Sequence, residues 1–149
     1  MLTKEEIIDS CLASVTRRIN EVEFAIKDAD QALADDTKSS AGDKYETSRE
    51  MVQQDITRYQ KQLAIANTDR EVLQKIDPLK SNERIGLGSV VRTDAGLYFI
   101  SISIGLLKIQ SQNIYVISPL SPIGQELIGK SKGDEIHFNG KTQKVISVS

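Results

Sequence analysis

The sequence predicts an α+β protein in which an antiparallel α-helical coiled-coil hairpin precedes a small β-rich domain. Apolar residues follow a heptad pattern through much of residues 1–77. All three prolines and eight of the nine glycines lie in residues 78–149. The net charge also changes sign, from −5 in the first part to +3 in the second. We therefore expect a hairpin over 1–77, a linker over 78–84 and a β-rich domain over 85–149.

The first helix is predicted by apolar residues that recur at alternating steps of four and three, which is typical of a coiled-coil seam. Thr3, followed by Glu6 three residues later, predicts a capping box at its start. Ile7 and Phe24 lie off the seam, and we expect both to be exposed. One such helix cannot bury its apolar stripe alone, so it needs a partner. The seam residues are Ile8, Leu12, Val15, Ile19, Val22, Ile26, Ala29 and Leu33.

The second helix continues the same spacing after a stretch at 35–42 that is rich in turn formers and has no large apolar residue. This short connection favours an antiparallel hairpin with arms of about 33 residues, or about 50 Å at 1.5 Å per residue. Pro78 is expected to end the second helix. Arg49 and Arg70 occupy two seam positions. The apolar seam residues are Tyr45, Val52, Ile56, Tyr59, Leu63, Ala66 and Leu73.

The predicted end of the hairpin is acidic. Residues 28–46 contain six carboxylates against two lysines, a net charge of −4. Asp43 is a suitable N-cap for the second helix, and Glu46 would complete a capping box. Clustered carboxylates can also share a Mg²⁺ ion, which binds one or two carboxylates and several waters. Helix capping and cation binding are compatible, and the residues alone leave both open.

The second part of the chain shows strand-like patterns and turn residues. One hairpin is predicted from 88–92 and 97–103, further strands at 104–109 and 113–117, and a last hairpin from 133–138 and 143–148. Asn139-Gly140 is a strong turn signal for that last hairpin. A short helix is predicted over 121–129, with Ser121 as N-cap, Pro122 in its first turn and Gly129 after its end. His137 is expected to face solvent.

Several classes of protein are excluded by composition. No apolar run approaches the roughly 20 residues of a membrane span, and the first residues lack the pattern of a signal peptide. The single cysteine, Cys11, excludes an internal disulfide and a Cys-rich zinc site, and we expect it to be a small packing residue. The single histidine excludes a two-His metal site. From the lack of a membrane span and a signal peptide we expect a cytoplasmic protein, and from the lack of a phosphate-binding glycine loop and a nucleophile elbow we expect that it is not an enzyme.

Residues 117–135, which include Ser-Pro-Leu-Ser-Pro-Ile-Gly and Leu-Ile-Gly-Lys-Ser-Lys-Gly-Asp-Glu, resemble the C-terminal signature of the Gre transcript-cleavage factors. The order of long helix, acidic tip, long helix and β-domain is also similar to that family. The resemblance implies an FKBP-like C-terminal domain that docks at the rim of the RNA polymerase secondary channel. The coiled coil would reach down the channel and contact nascent RNA indirectly. It also implies an accessory factor with RNA polymerase as partner, no membrane association and a monomeric state.

The resemblance further implies functional residues. Residues 42–46 match the family pattern G-D-x-x-E, so Asp43 and Glu46 would hold a Mg²⁺ ion shared with the polymerase, and the protein would need no cofactor of its own. Another alignment, on Tyr45 and Arg49-Glu50, places Lys38 and Ala41 at those positions. It leaves Asp35 and Asp36 as the available carboxylates. Ser121, Pro122 and Ile123 would lie on the polymerase-facing surface.

Three alternative functions stay open at this point. A non-cleaving Gre-like protein would occupy the channel and modulate the polymerase. A peptidyl-prolyl isomerase is suggested by the FKBP-like domain, although the chain has few aromatic residues and no Trp. A coiled-coil adaptor is suggested by the heptads alone.

Overall fold

The computed structural model describes the backbone of residues 2–36 and 43–149 and the side chains of residues 2–35 and 47–149. Within these residues, two long helices precede a β-sheet region, so the predicted fold class is confirmed. None of the described helices combines the length and apolar character that crossing a membrane requires. The elements are α1 (Lys4–Asp36), α2 (Asp43–Gln74), β1 (Val90–Thr93), β2 (Gly96–Ile100), β3 (Gly105–Ile109), β4 (Gln112–Ile117), α3 (Pro122–Leu127), β5 (Glu135–Phe138) and β6 (Lys141–Val148).

The chain forms two compact units. One contains Ala13–Arg70, and the other contains Met1–Leu12 together with Glu71–Ser149. Both long helices therefore contribute residues to both units. The division at residues 77 and 85 stays a prediction about domain organisation.

The unit of Ala13–Arg70 consists of two helix segments that pack along the predicted seam. Its buried seam residues are Val15, Ile19, Val22, Ile56 and Ala66. An ion pair between Arg18 Nη2 and Asp69 Oδ2 joins the middle of α1 to the late part of α2, which fits the antiparallel arrangement. Phe24 is 72% exposed, as predicted. The half-buried seam residues are Ile26, Ala29, Leu33, Val52, Tyr59 and Leu63.

The first turns of α1 belong to the unit that contains the sheet. The amide of Glu6 donates to Thr3 Oγ1 at 3.1 Å, which confirms the Thr3 half of the predicted capping box. The Glu6 carboxylate accepts a hydrogen bond from Gln110 Nε2 at 3.1 Å. Cys11 is fully buried, which confirms that it is a packing residue.

Ile7 corrects one prediction, because it is buried and only 1% exposed. It lies off the heptad seam, but it lines a cleft of about 90 Å³ with Leu2, Val90 and Leu97 of the same unit. The heptad pattern describes contacts between helices only. A residue that packs against a sheet therefore falls outside the pattern and was wrongly expected to face solvent.

Helix α2 ends at Gln74, several residues before Pro78. The amide of Ile76 donates to the carbonyl of Leu73, three residues earlier, at 3.3 Å. This bond closes a tighter turn than the α-helical bond to the fourth residue back. The Asp77 carboxylate then accepts from the amide of Leu79 at 2.9 Å. Asp side chains favour such turns over helix. The helix therefore ends shortly before Pro78, and the Asp77 turn follows it.

The six described strands form one sheet in the order β3-β4-β2-β1-β6-β5. The predicted hairpins β1–β2 and β5–β6 are confirmed as antiparallel pairs. Asn139 and Gly140 have φ values of 52° and 74°, as a type I′ turn requires. β2 and β4 pair in parallel, which the sequence did not predict. The core of the sheet region contains Ile85, Val91, Tyr98, Ile100, Leu127, Ile136 and Val145.

Candidate functional site

The loop between β4 and α3, residues 118–121, is fixed to the start of α3 by one hydroxyl group. Ser121 Oγ accepts a hydrogen bond from the amide of Gly124 at 3.1 Å, which is the predicted N-cap. The same hydroxyl donates to the carbonyl of Ser118 at 2.6 Å. Pro122 follows as the first residue of α3, where its missing N–H costs nothing. The hydroxyl therefore closes the loop onto the helix.

Gly124 lets this loop lie close to α3. A Cβ atom at this position would be 2.2 Å from the Ser118 carbonyl oxygen and 2.8 Å from Ser121 Oγ. Real Cβ atoms do not approach backbone oxygens this closely. Any side chain at Gly124 would consequently push the loop away from the helix.

Leu120 is 81% exposed at the outer side of this loop. Its amide donates to Ser118 Oγ at 3.1 Å, and its carbonyl accepts from Gln125 Nε2 at 3.0 Å. The side chain is thus an exposed apolar group on a backbone that is held at both ends. Sequence reasoning missed this residue, although a leucine between two Ser-Pro pairs was a signal that could have found it.

The three residues predicted for the partner surface occupy different environments. Pro122 is exposed, whereas Ser121 is half-buried and acts as the N-cap. Ile123 is half-buried and packs against the core of the sheet region. The outward-facing apolar surface at this loop therefore consists of Leu120 and Pro122, and we call these two residues the loop surface. That a partner contacts it stays a prediction.

The predicted acidic tip is described only in part. The backbone of α2 begins at Asp43, but the side chains of Asp43 and Glu46 lie outside the described residues, as does the side chain of Asp36. Asp35 is exposed in the last turn of α1. Within the described residues, no three His, Cys, Asp or Glu side chains come together as a metal site would require. The assignment of Mg²⁺ to Asp43 and Glu46 stays a prediction.

Two buried titratable side chains, Tyr98 and Cys11, have structural roles, and Tyr98 belongs to a buried hydrogen-bond network. Gln143 Oε1 accepts from Thr93 Oγ1 at 2.8 Å and from the Tyr98 hydroxyl at 3.1 Å, and this network lies inside the sheet. Burial raises the pKa of Tyr98, and its hydrogen bond with Gln143 opposes that shift. Burial also raises the pKa of the Cys11 thiol to about 12. A thiol with that pKa stays protonated near neutral pH and is a poor nucleophile.

His137 is exposed on β5, as predicted. Its Nδ1 lies 2.9 Å from Thr142 Oγ1 on the neighbouring strand. This contact joins β5 to β6.

Comparison with known proteins supports the resemblance of the C-terminal region. The family model described as "Transcription elongation factor, GreA/GreB, C-term" matches residues 108–149. The matched range contains the loop surface, α3 and the β5–β6 hairpin.

No curated protein matches the sequence. One solved structure, titled "Structure of the transcription factor Gfh1", is similar at 19% identity over 93% of each chain, with a TM-score of 0.38. That score is too low to carry a conclusion about this chain. The predicted Gre resemblance is thus confirmed through the C-terminal match: residues 108–149 are similar to the C-terminal domain of the GreA/GreB transcription elongation factors.

Proposed function

We propose that this protein is a Gre-like transcription elongation factor that binds RNA polymerase. Its coiled coil would enter the secondary channel and stimulate the polymerase's own cleavage of backtracked RNA. The supporting observation is that the GreA/GreB C-terminal match at 108–149 follows two helices of 33 and 32 residues in the same chain. The protein would act in the cytoplasm as an accessory factor.

The loop surface is the proposed contact with the polymerase. Ser121 and Gly124 hold the loop against α3, so Leu120 and Pro122 would bind with little loss of conformational entropy. Ile123 is a poor position for a test, since a charge there would disturb the core that it packs against. A test should change only the exposed side chains.

The double substitution Leu120→Asp with Pro122→Ala should weaken binding to core RNA polymerase by about tenfold or more, because a charge would be desolvated at the contact. Fluorescence polarisation of the labelled protein measures the affinity. Leu79→Asp is the matched control, since Leu79 is 90% exposed and lies outside the loop. Equal binding by the wild type and the double variant would place the contact elsewhere.

The acidic tip would supply the chemical part of the function. Asp43 and Glu46 are three residues apart at the start of α2, a spacing that brings side chains to one side of a helix. Bound Mg²⁺ can activate water for attack on a phosphodiester. Two carboxylates alone bind this ion weakly, so the polymerase would have to complete its coordination. The isolated protein should therefore have no nuclease activity.

The double substitution Asp43→Asn with Glu46→Gln should abolish transcript cleavage in a halted, backtracked complex and preserve binding, since it removes both charges at nearly constant size. The matched control is Asp35→Asn with Asp36→Asn, which changes the net charge equally. RNA products separated on a gel provide the measurement. If the control pair is the sensitive one, the alternative alignment of the tip is correct.

A second candidate function is a channel-binding modulator that does not stimulate cleavage. It is favoured by the alignment on Tyr45 and Arg49-Glu50, in which Lys38 and Ala41 take the places of the acidic residues. A wild-type protein that binds the polymerase but leaves backtracked RNA uncut would establish this function instead.

A further inference from the structure

A polar pocket of about 350 Å³ lies in the unit of Met1–Leu12 and Glu71–Ser149. Its lining includes the first residue of α1, Lys4, and Lys75 and Lys80 from the segment after α2. None of its lining residues belongs to the loop surface or to the acidic tip. The proposed function leaves this pocket unexplained.

The pocket carries positive charge. Lys4, Lys75 and Lys80 line it together with Asp77, so three residues with ammonium groups accompany one with a carboxylate. The carboxylate already accepts a hydrogen bond from the amide of Leu79 at 2.9 Å. The lining side chains therefore have a net charge of +2, which favours an anionic ligand.

Hydrogen-bond donors in the pocket are available to a ligand. Lys4 Nζ donates to the carbonyl of Lys80 at 2.7 Å, which uses one of the three donors of an ammonium group. Among the residues that the structure describes, the side chains of Lys75, Lys80 and Asn82 have no hydrogen-bond or ion-pair partner. Burial lowers the pKa of Lys4, and the nearby Asp77 opposes that shift. A partly desolvated ammonium group interacts more strongly with an anion than one in bulk water.

One part of the pocket is apolar. Ile76 and Leu87 line it beside the lysines, and Leu87 is 53% exposed. An inorganic anion would use only the charged wall. A ligand with both an anionic group and a flat or aliphatic part would contact both walls.

We propose that this pocket binds a nucleotide through its phosphate groups. The terminal phosphate of a nucleotide carries a charge of about −1.5 to −2 at neutral pH, which is opposite in sign to the net charge of the lining side chains. The three lysines and Asn82 contact the phosphate oxygens, and Ile76 and Leu87 contact the nucleoside. Small-molecule sites have volumes of about 300–1,000 Å³, and this pocket falls within that range. The site operates without RNA polymerase and is independent of the proposed function.

The test uses the full chain and three probes: ADP, inorganic phosphate and adenosine. Calorimetry should show that ADP binds with a Kd of about 1 mM or lower, and that phosphate and adenosine each bind at least about tenfold more weakly. In an NMR titration of the wild type, ADP should shift the amide signals of residues 75–88 most. Equal affinity for phosphate and ADP would overturn the assignment to a nucleotide.

Lys75→Ala with Lys80→Ala should weaken ADP binding by about tenfold or more. Both side chains are exposed, so the fold should be unaffected. The matched control is Lys141→Ala with Lys144→Ala. These two lysines are exposed and lie outside the pocket, and replacing them removes the same charge. Equal weakening by both pairs would assign the effect to general surface charge and overturn the proposal. The proposal also fails if no ADP binding is seen up to about 5 mM.

Discussion

Gly124 shows how one residue without a side chain determines the shape of the loop surface. Its amide donates to Ser121 Oγ, and its Cα leaves room for the Ser118 carbonyl oxygen. These two contacts act together, since the hydrogen bond requires the same close approach that a Cβ would prevent. The Ser-Pro-Ile-Gly sequence is therefore a structural unit in addition to a family signature.

Gly124→Ala should lower the free energy of unfolding by about 2–3 kcal/mol, because the new methyl group would force the Ser118 carbonyl to move. Urea denaturation followed by circular dichroism measures the loss. Gly86→Ala is the control, since a Cβ there meets nothing within 4 Å. Similar stabilities for the two variants would mean that the loop adjusts without cost.

At the scale of elements, the sequence predicts the turn of one outer hairpin of the sheet, β5–β6, but not the turn of the other, β3–β4. Asn139-Gly140 has the residue types that a type I′ turn requires, and it was predicted. Gln110 and Ser111, between β3 and β4, have φ values of 50° and 66°, although neither is a glycine. Gln110 also donates to Glu6 in α1. Because neither residue is a glycine or an asparagine, the residue types of that second turn do not signal its positive φ values.

Ser111→Gly should raise the free energy of unfolding by about 0.5–1 kcal/mol, because glycine adopts a positive φ without steric cost. The midpoint of urea denaturation reports the change. Ser103→Gly serves as the comparison, since Ser103 is also exposed and does not have a positive φ. A lower stability for Ser111→Gly would show that the greater freedom of glycine in the unfolded chain outweighs the relieved strain.

For the whole molecule, the decisive feature is that Met1–Leu12 and Glu71–Ser149 form one compact unit. Ile7, Cys11 and Leu73 are buried in it, and all three come from the long helices. The start of α1 and the end of α2 thus add buried apolar side chains to the unit that contains the sheet. Heptad spacing could not predict this, because Ile7 and Cys11 do not lie on the seam.

Ile7→Ala should destabilise this unit by about 2–4 kcal/mol, because it removes a fully buried side chain. Hydrogen exchange should report the loss as faster exchange of amides in β1 and β2. Phe24→Ala is the control. Phe24 is 72% exposed, so its removal should change stability by no more than about 0.5 kcal/mol. Unchanged protection of β1 and β2 in Ile7→Ala would contradict the burial of this residue.

The sequence by itself determined the features that neighbouring residues encode: the helix seams, the Ser121 cap, the Asn-Gly turn and the signature of the C-terminal family. The residue pattern behind each lies within a short stretch of the chain, so it is visible locally even where, as in the seams, the packing partner is distant. Tertiary structure alone decided the parallel pairing of β2 with β4, the burial of Ile7 and the grouping of Lys4 with Lys75 and Lys80. These contacts join positions that are distant in sequence, and folding brings them together only when apolar surface from separate segments is buried in one core.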